Sequence, residues 1–327
     1  MRDPVRVSVV IPVHNGERYI AQTIRSALAS DLAELEVIVV DDGSQDRSVE
    51  IVRSMCDRRV SLLQQHASGG PARPRNVAAA EARAPYVAFL DADDLIRADK
   101  LSSTVAALDR HPQAGFAFGD FEHIDANGKV LEGPVLAPKL ASCAIVSEPL
   151  GEGWRFISQK ELARGLLQRN FIGTSGVIVR KSLLADVGNF DESLTFSEDL
   201  DLWFRLAHRC AALYREAIGH SYRVAPGSLT YTPTVRTASD RVRVLRRERE
   251  RRRLPHERKQ LARLIAESLA TIGYAHRRNQ QRLPSVSAFA QALVMHPDVR
   301  WVRALVGSLL PSERLVAEQL DSGRSDT

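Results

Sequence analysis

Four short runs, apolar but for Ser8 and Ser61 and each separated from the next by helical spacing, constrain the first third of this 327-residue chain more than any other feature. They are Val7 to Ile11, Val37 to Val40, Val60 to Leu63 and Pro85 to Leu90. Between the first two, Ile20, Ile24, Ala27 and Leu28 share one helical face. A second helical stretch runs from about Asp46 to Cys56, and an Ala-rich one follows Gly69-Gly70-Pro71. Strands covered on both faces read as continuous apolar runs rather than alternating ones. The pattern therefore predicts an α/β fold, a mostly parallel sheet with helices on both faces. In such sheets ligands bind beyond the carboxyl ends of the strands. Asn15, Glu17, Asp42 and the run Asp91 to Asp94 all fall there, so one crevice collects them.

The fourth run ends abruptly in Phe89-Leu90-Asp91-Ala92-Asp93-Asp94, three carboxylates within four residues. Like charges at that spacing repel, and a cation among them relieves the repulsion. Hard oxygen ligands suit Mn²⁺ or Mg²⁺, which keep waters and take further ligands from substrate phosphates. The same acids also fit a helix start, with Asp93 or Asp94 capping a helix from about Arg97 to His111. Taken alone, the cluster leaves both readings open.

Five segments in order resemble the family 2 inverting glycosyltransferases of the GT-A fold. They are Ser8-Val9-Val10-Ile11-Pro12-Val13-His14-Asn15-Gly16-Glu17, Val39-Val40-Asp41-Asp42-Gly43-Ser44, Ala72-Arg73-Pro74-Arg75-Asn76, Phe89 to Asp94, and Gly188-Asn189-Phe190-Asp191-Glu192 with Ser197-Glu198-Asp199-Leu200-Asp201-Leu202-Trp203. Together they span roughly residues 5 to 210.

The resemblance implies a role for each matching residue. Asp42 accepts the imide N–H of uracil, and Pro12, His14 and Glu17 line the same nucleotide-sugar site. Glu17 also fits a first-turn acid that complements the helix dipole. Asp91 and Ala92 lie on the ribose side. Asp93 holds the divalent cation that neutralises the diphosphate. Arg75, with Arg73, adds positive charge or contacts the base, a solvated helix face being the alternative for each, while Asn76 fixes the start of its helix. Asp199, second of the acidic pair Glu198-Asp199, is the general base for the acceptor hydroxyl. Ser197 is the expected cap of its helix. Asp201 and Glu192 are nearby acids outside the matching position.

Residues 122 to 170 are richer in Gly, Pro and Ser, and are expected to form an insertion or flexible loop over the site. Gly173-Thr174-Ser175-Gly176 precedes a further strand, Val177 to Val179, beside the acceptor cleft. Trp154 and Trp203 are candidates for sugar stacking, though core packing is the better expectation for Trp203.

The composition changes near Thr234. Residues 236–260 hold eleven Lys or Arg against four Asp or Glu, whereas residues 1–235 hold 26 against 30. Leu261, Leu264, Ile265, Leu269 and Ile272 then fall on one helical face, and further apolar spacing flanks a break at His296-Pro297. This divides the chain into a catalytic domain at 1–235 and a basic helical region at 236–327. The basic segment suits peripheral contact with an anionic membrane, or an oligomer contact, better than nucleic acid, for which no motif is present. No apolar stretch approaches a bilayer span, the start shows no signal peptide, and Cys56, Cys143 and Cys210 have no metal or redox spacing. A cytoplasmic protein, possible at the inner membrane face, is expected.

The expected function is inverting, metal-dependent transfer of a sugar from a nucleotide-diphospho-sugar, UDP-linked, to a hydroxyl on a glycan or lipid-linked acceptor in bacterial cell-surface synthesis. The alternative is a nucleotidyltransferase on a related sheet. That class calls for a Gly-rich, basic loop after the first strand, where this chain reads Pro-Val-His-Asn-Gly-Glu and has no lysine before Lys100.

Overall fold

The computed structural model describes residues 4–224 and 234–309. The chain divides into two compact units, residues 1–228 and 229–327. The first opens with the expected alternation: β1 (Val7–Val13), α1 (Ile20–Leu28), β2 (Leu35–Asp42), α2 (Ser48–Ser54), β3 (Val60–Gln65), α3 (Ala72–Glu81) and β4 (Tyr86–Phe89). β3, β2, β1 and β4 lie side by side and parallel. Val9, Ile11, Val37, Val39 and Ala88 are fully buried in one apolar cluster with Ile20, Ile24 and Ala27 of α1. Val10, Ile38, Val40 and Phe89 of the opposite face are buried as well, and burial on both faces explains the apolar runs of β1, β2 and β4.

Beyond β4 the order changes. β5 (Leu95–Ile96), α4 (Lys100–Arg110), β6 (Ala114–Ile124), β7 (Val130–Glu132), α5 (Leu136–Ser142) and β8 (Glu148–Gly151) follow. Then come β9 (Trp154–Ile157), α6 (Gln159–Leu166), β10 (Ile178–Arg180), α7 (Lys181–Asp186), α8 (Glu198–Ala207) and β11 (Ala211–Arg223). The sheet runs β3-β2-β1-β4-β10-β6-β11-β9-β8. β10 is antiparallel to both neighbours, β11 is parallel to β6, and β9 and β8 are antiparallel, so this half is mixed.

Residues 122–170 are thus not an insertion without structure. They hold three short strands, β7, β8 and β9, and two helices. The strands escape sequence reading because they are short, β7 is exposed throughout, and β8 contains Pro149 and Gly151. Trp154 is 4% exposed within the main apolar cluster. Trp203 is fully buried, stacks on Phe116 at 6.2 Å, and donates its indole N–H to the Ile172 carbonyl at 3.1 Å. Both tryptophans are core residues, which removes them from sugar stacking.

The second unit holds α9 (Val235–Arg251), α10 (Pro255–Arg278), α11 (Arg282–Met295) and α12 (Val299–Leu309). Thr234 caps α9, and Thr237 returns the bond to the Thr234 N–H at 2.8 Å. Leu261, Ile265 and Leu269 of α10 are buried as their spacing predicts, and the break at His296-Pro297 separates α11 from α12. Phe289 of α11 packs so closely on α10 that a Cβ at Gly273 would lie 2.8 Å from its ring. Among the described residues no helix is long and apolar enough to cross a membrane.

Candidate active site

The turns after β1 and β2 are tied to each other. The His14 Nδ1–H donates to the Asp42 carbonyl at 2.9 Å, which leaves Nε2 to accept from the Asn15 amide at 3.1 Å. Asn15 takes a left-handed φ of 52°, its N–H donates to Ser44 Oγ, and its Oδ1 accepts from the Gln45 N–H. Gly16 follows, where a Cβ would meet Val13 at 2.7 Å. The exposed Glu17 carboxylate accepts the Arg47 N–H at 3.0 Å, bracing the turn into α2. This brace, rather than the axis of its own helix, is what occupies Glu17.

The Asp42 carboxylate is 5% exposed and accepts from Gln65 Nε2 at 2.6 Å and from the N–H and hydroxyl of Ser68, each at 2.9 Å. A carboxylate offers about four lone-pair directions, so one remains for a donor edge. Pro12 stands opposite Val40 in the adjoining strand. Pro12, His14 and Asp42 therefore share one end of the parallel half-sheet.

The acidic loop after β4 is pinned from four sides. The Asp91 N–H donates to Ser175 Oγ at 3.1 Å, and the Ala92 carbonyl accepts from Thr23 Oγ1 at 2.8 Å. Arg223 donates its Nε–H to the Asp93 carbonyl at 2.8 Å and its backbone N–H to Asp94 Oδ1 at 2.9 Å. Neither Asp93 nor Asp94 caps a helix: β5 intervenes and α4 begins at Lys100, after Asp99. Burial, then the neighbouring Asp91 charge, pushes the Asp93 carboxyl up to about 6, against the opposing pull of Arg223. The fully buried Asp94 is pushed well above the usual carboxylate range by burial and by both neighbours. The repulsion expected from the sequence is thus present in the fold.

Arg75 joins this loop to the candidate base. Instead of facing solvent or a nucleobase, it is 3% exposed in α3. Its Nη2 reaches Asp91 at 2.6 Å and its Nη1 reaches Glu198 at 2.7 Å, with the guanidinium 5.2 Å from the Phe190 ring centre. Arg73 is exposed. Asn76 does not fix the helix start but reaches across to residues 190–192: its amide donates to the Phe190 carbonyl and to Glu192, and its Oδ1 accepts the Phe190 N–H.

Ser197, expected as a side-chain cap, makes no such bond and has a left-handed φ of 59°. That conformation is costly outside glycine and here turns the chain directly into Glu198-Asp199. Asp199 Oδ1 accepts the Leu200 N–H at 2.6 Å and Oδ2 accepts from the Asn170 amide at 3.0 Å. Burial raises the Asp199 pKa, opposed by those two bonds and by Arg75. Burial also pushes Glu198 up to about 7, opposed by Arg75 and aided by the Asp199 charge. Asp201 is buried against Arg205 at 2.8 Å.

Asn170, Ser175 and Arg223 carry no signal of their own role in the sequence.

A half-sheet that gathers a base pocket and an acidic loop at its carboxyl edge, facing an acid-bearing helix, defines a GT-A transferase. The chain belongs to glycosyl transferase family 2, whose model matches residues 8–182. It is 39% identical over 112 residues to the poly(ribitol-phosphate) β-N-acetylglucosaminyltransferase TarS of Staphylococcus aureus, covering 33% of this chain and 19% of that one. An uncharacterised glycosyltransferase of Haemophilus influenzae is 38% identical over 122 residues, 36% of this chain and 49% of the other. The chain thus spans half or less of these two relatives. The Escherichia coli UDP-Glc:α-D-GlcNAc-diphosphoundecaprenol β-1,3-glucosyltransferase WfgD is 28% identical over 70% of this chain and 81% of its own. The fold matches residues 1–349 of S. aureus TarS in complex with UDP, with a TM-score of 0.62 at 21% identity over 99% of this chain and 93% of that one.

Proposed function

We propose that the chain is an inverting glycosyltransferase that moves a sugar from a UDP-sugar to a hydroxyl of a glycan or lipid-linked acceptor in cell-surface glycan synthesis. The names of TarS and WfgD and the complexes of TarS with UDP and UDP-GlcNAc support the donor class. One observation carries the reading: Arg75 binds both Asp91 of the acidic loop and Glu198 beside Asp199. Donor loop and base are held as one unit, as a single in-line displacement requires. The acceptor oxygen attacks the anomeric carbon, its proton passes to an Asp199 carboxylate oxygen, and the bond to the diphosphate breaks. Asp42, Pro12 and His14 receive the uracil. A screen of nucleotide sugars for nucleoside diphosphate release tests the reading, and a protein that turns over none of them rejects it.

Asp93 and Asp91 would hold a divalent cation, Mn²⁺ or Mg²⁺. Two mutually repelling carboxylates on a pinned loop suit a hard cation, which would take waters and the diphosphate as its remaining ligands. When bound, the cation supplies charge neutralisation at the departing diphosphate. Asp93→Asn should keep the fold and abolish the gain in UDP affinity that Mn²⁺ brings. Calorimetric titration of UDP with and without Mn²⁺ checks this, and an unchanged gain removes Asp93 from the metal.

A peripheral membrane contact belongs to α12 more than to residues 236–260. In the basic run Arg243, Arg251 and Arg252 are paired with Asp240, Glu248 and Glu257, so its charge is partly internal. On α12, Val299, Val302, Val306 and Leu309 are 43–62% exposed along one side, beside Arg303 and an Arg300 that is itself paired with Asp298. An apolar stripe edged by arginines suits an anionic bilayer surface. Val302→Asp with Val306→Asp should cut flotation with phosphatidylglycerol vesicles several-fold. If the parent ignores such vesicles at low salt, the contact does not exist.

A further inference from the structure

We infer that Asn170 is a positioning residue, whose side-chain amide fixes the carboxylate of Asp199 in the orientation that receives the acceptor proton. The inference rests on the reading of Asp199 as the base. The Asp199 carboxylate is held at two points. Oδ1 accepts the N–H of Leu200, the next residue, at 2.6 Å, and Oδ2 accepts from Asn170 Nδ2 at 3.0 Å. The first bond is local to the start of α8 and holds one oxygen only. The carboxylate could still swing about that contact, and the Asn170 bond removes this freedom. A carboxylate offers about four lone-pair directions, so two bonds leave room for an incoming proton.

The chain on both sides of Asn170 is fixed without it. Before it, the N–H groups of Gln168 and Arg169 donate to the Gly165 carbonyl at 2.8 and 3.1 Å, and the Gln168 amide donates to the Cys143 carbonyl at 3.0 Å. After it, Phe171 and Ile172 are buried, with the Phe171 ring 5.9 Å from that of Phe118. The Ile172 carbonyl takes the indole N–H of Trp203 at 3.1 Å. Asp199 and Trp203 stand four residues apart in α8, on the same side of the helix. Residues 170–172 therefore run beside the first turn of α8 and meet it twice, once at the base and once in the core. The core contact holds the segment, which leaves the Asn170 amide to serve Asp199.

Asn170 also carries a local cost that folding does not explain. Its Oδ1 is buried and accepts no hydrogen bond among the described residues. A buried acceptor left unpaired is unfavourable, and an apolar side chain at the same place would avoid it. Turning the amide over would not help, because Oδ1 would then face a carboxylate oxygen. What the amide gains in exchange is a donor aimed at an anion.

Such a donor favours the ionised carboxylate as well as its orientation. Burial raises the Asp199 pKa, and the bonds from Leu200 and Asn170 oppose it. Arg75 from α3, Asp91 from the acidic loop and Glu198 from the same helix act on Asp199 as charges. A change at Asn170 leaves all three in place, so its effect on the base can be read by itself.

The test compares the full-length parent with Asn170→Ala, Asp199→Asn and the double variant. UDP release from UDP-GlcNAc with Mn²⁺, water standing in for the acceptor, is followed from pH 5 to 8, and UDP affinity is measured by calorimetry. Asn170→Ala should lower kcat by about 10–10²-fold, the scale of a misplaced reacting group. KM for the donor and UDP affinity should stay within about twofold. The acidic limb of its rate profile should lie at higher pH than the parent's, because the ionised base has lost a donor. Adding Asn170→Ala to Asp199→Asn should slow the enzyme no further, since the two residues act as one unit. Carbon-13 NMR titration of the Asp199 carboxyl, assigned by its absence in Asp199→Asn, reads the same effect without turnover: in Asn170→Ala it should titrate at higher pH. The inference is overturned if neither the limb nor the carboxyl titration moves, or if Asn170→Ala slows the Asp199→Asn enzyme as much as it slows the parent. If Asp199→Asn itself keeps UDP release within a few-fold of the parent, the base reading fails and takes Asn170 with it. If Asp199→Asn collapses and Asn170→Ala does not, only the role of Asn170 falls.

Discussion

Asp199→Asn should lower sugar transfer by about 10²–10⁴-fold, the usual contribution of a general base, with UDP affinity nearly unchanged. The amide keeps the shape and can still accept from the Leu200 N–H and meet Asn170, so the start of α8 should survive. It cannot take the acceptor proton. Because burial holds the Asp199 pKa above the ordinary aspartate value, the ionised base is lost at a higher pH than an ordinary aspartate would be. Parent activity should therefore fall as pH drops through that raised pKa, and the residual activity of the variant should lack this limb. Glu192→Gln is the clean control, since Glu192 is exposed and meets only Asn76. Asp201→Asn is not a clean control: it breaks a buried pair with Arg205 and should cost stability rather than chemistry. Inversion follows from the same single displacement. A variant that transfers within a few-fold of the parent, or a product that keeps the donor's anomeric configuration by proton coupling, rejects Asp199 as the base.

The parts of this site that were legible in the sequence are those written in contiguous residues. β1, β2 and β4 announce themselves as apolar runs, and the acids at their ends follow from where the runs stop. The tie between a metal site and a helix cap at Asp93-Asp94 was not resolvable there. It turns on β5, a two-residue strand that pairs with β11 more than 120 residues later in the chain. Arg223 holds the Asp93 carbonyl for the same reason and is equally invisible. Asn170 meets Asp199 in a segment whose Ile172 carbonyl accepts the Trp203 indole N–H, contacts between residues 29 and 31 apart in the chain. β7 and β8 were lost because strands of three or four residues, the second with Pro149 and Gly151, show no period.

Arg75 is the clearest case, and its replacement should have the largest effect on stability. Its sequence context allows a solvated helix face or a nucleobase contact. In the fold its guanidinium is buried between two acids, 2.6 Å from Asp91 and 2.7 Å from Glu198. Removing one partner of a buried charge network typically costs about 3–5 kcal/mol, because the remaining charges stay desolvated. Arg75→Met, which keeps most of the volume and contact with Phe190, should fall in that range and should also lose transfer, since donor loop and base are no longer joined. The sign of its pH dependence follows from Glu198. Even with Arg75 present, Glu198 sits at about 7, above its ordinary value of 4.5. Without Arg75 it must rise further, since that charge was lowering it. An acid whose pKa is higher folded than unfolded takes up protons on folding between the two values, so stability falls as pH rises through that window. The deficit of Arg75→Met against the parent should therefore be greatest above pH 7 and shrink toward pH 5. Urea unfolding of both proteins at pH 5, 7 and 8.5 measures it. A deficit under 1 kcal/mol at every pH, or one that grows as the solution is acidified, would mean that Arg75 does not carry the charge of Glu198 and Asp91.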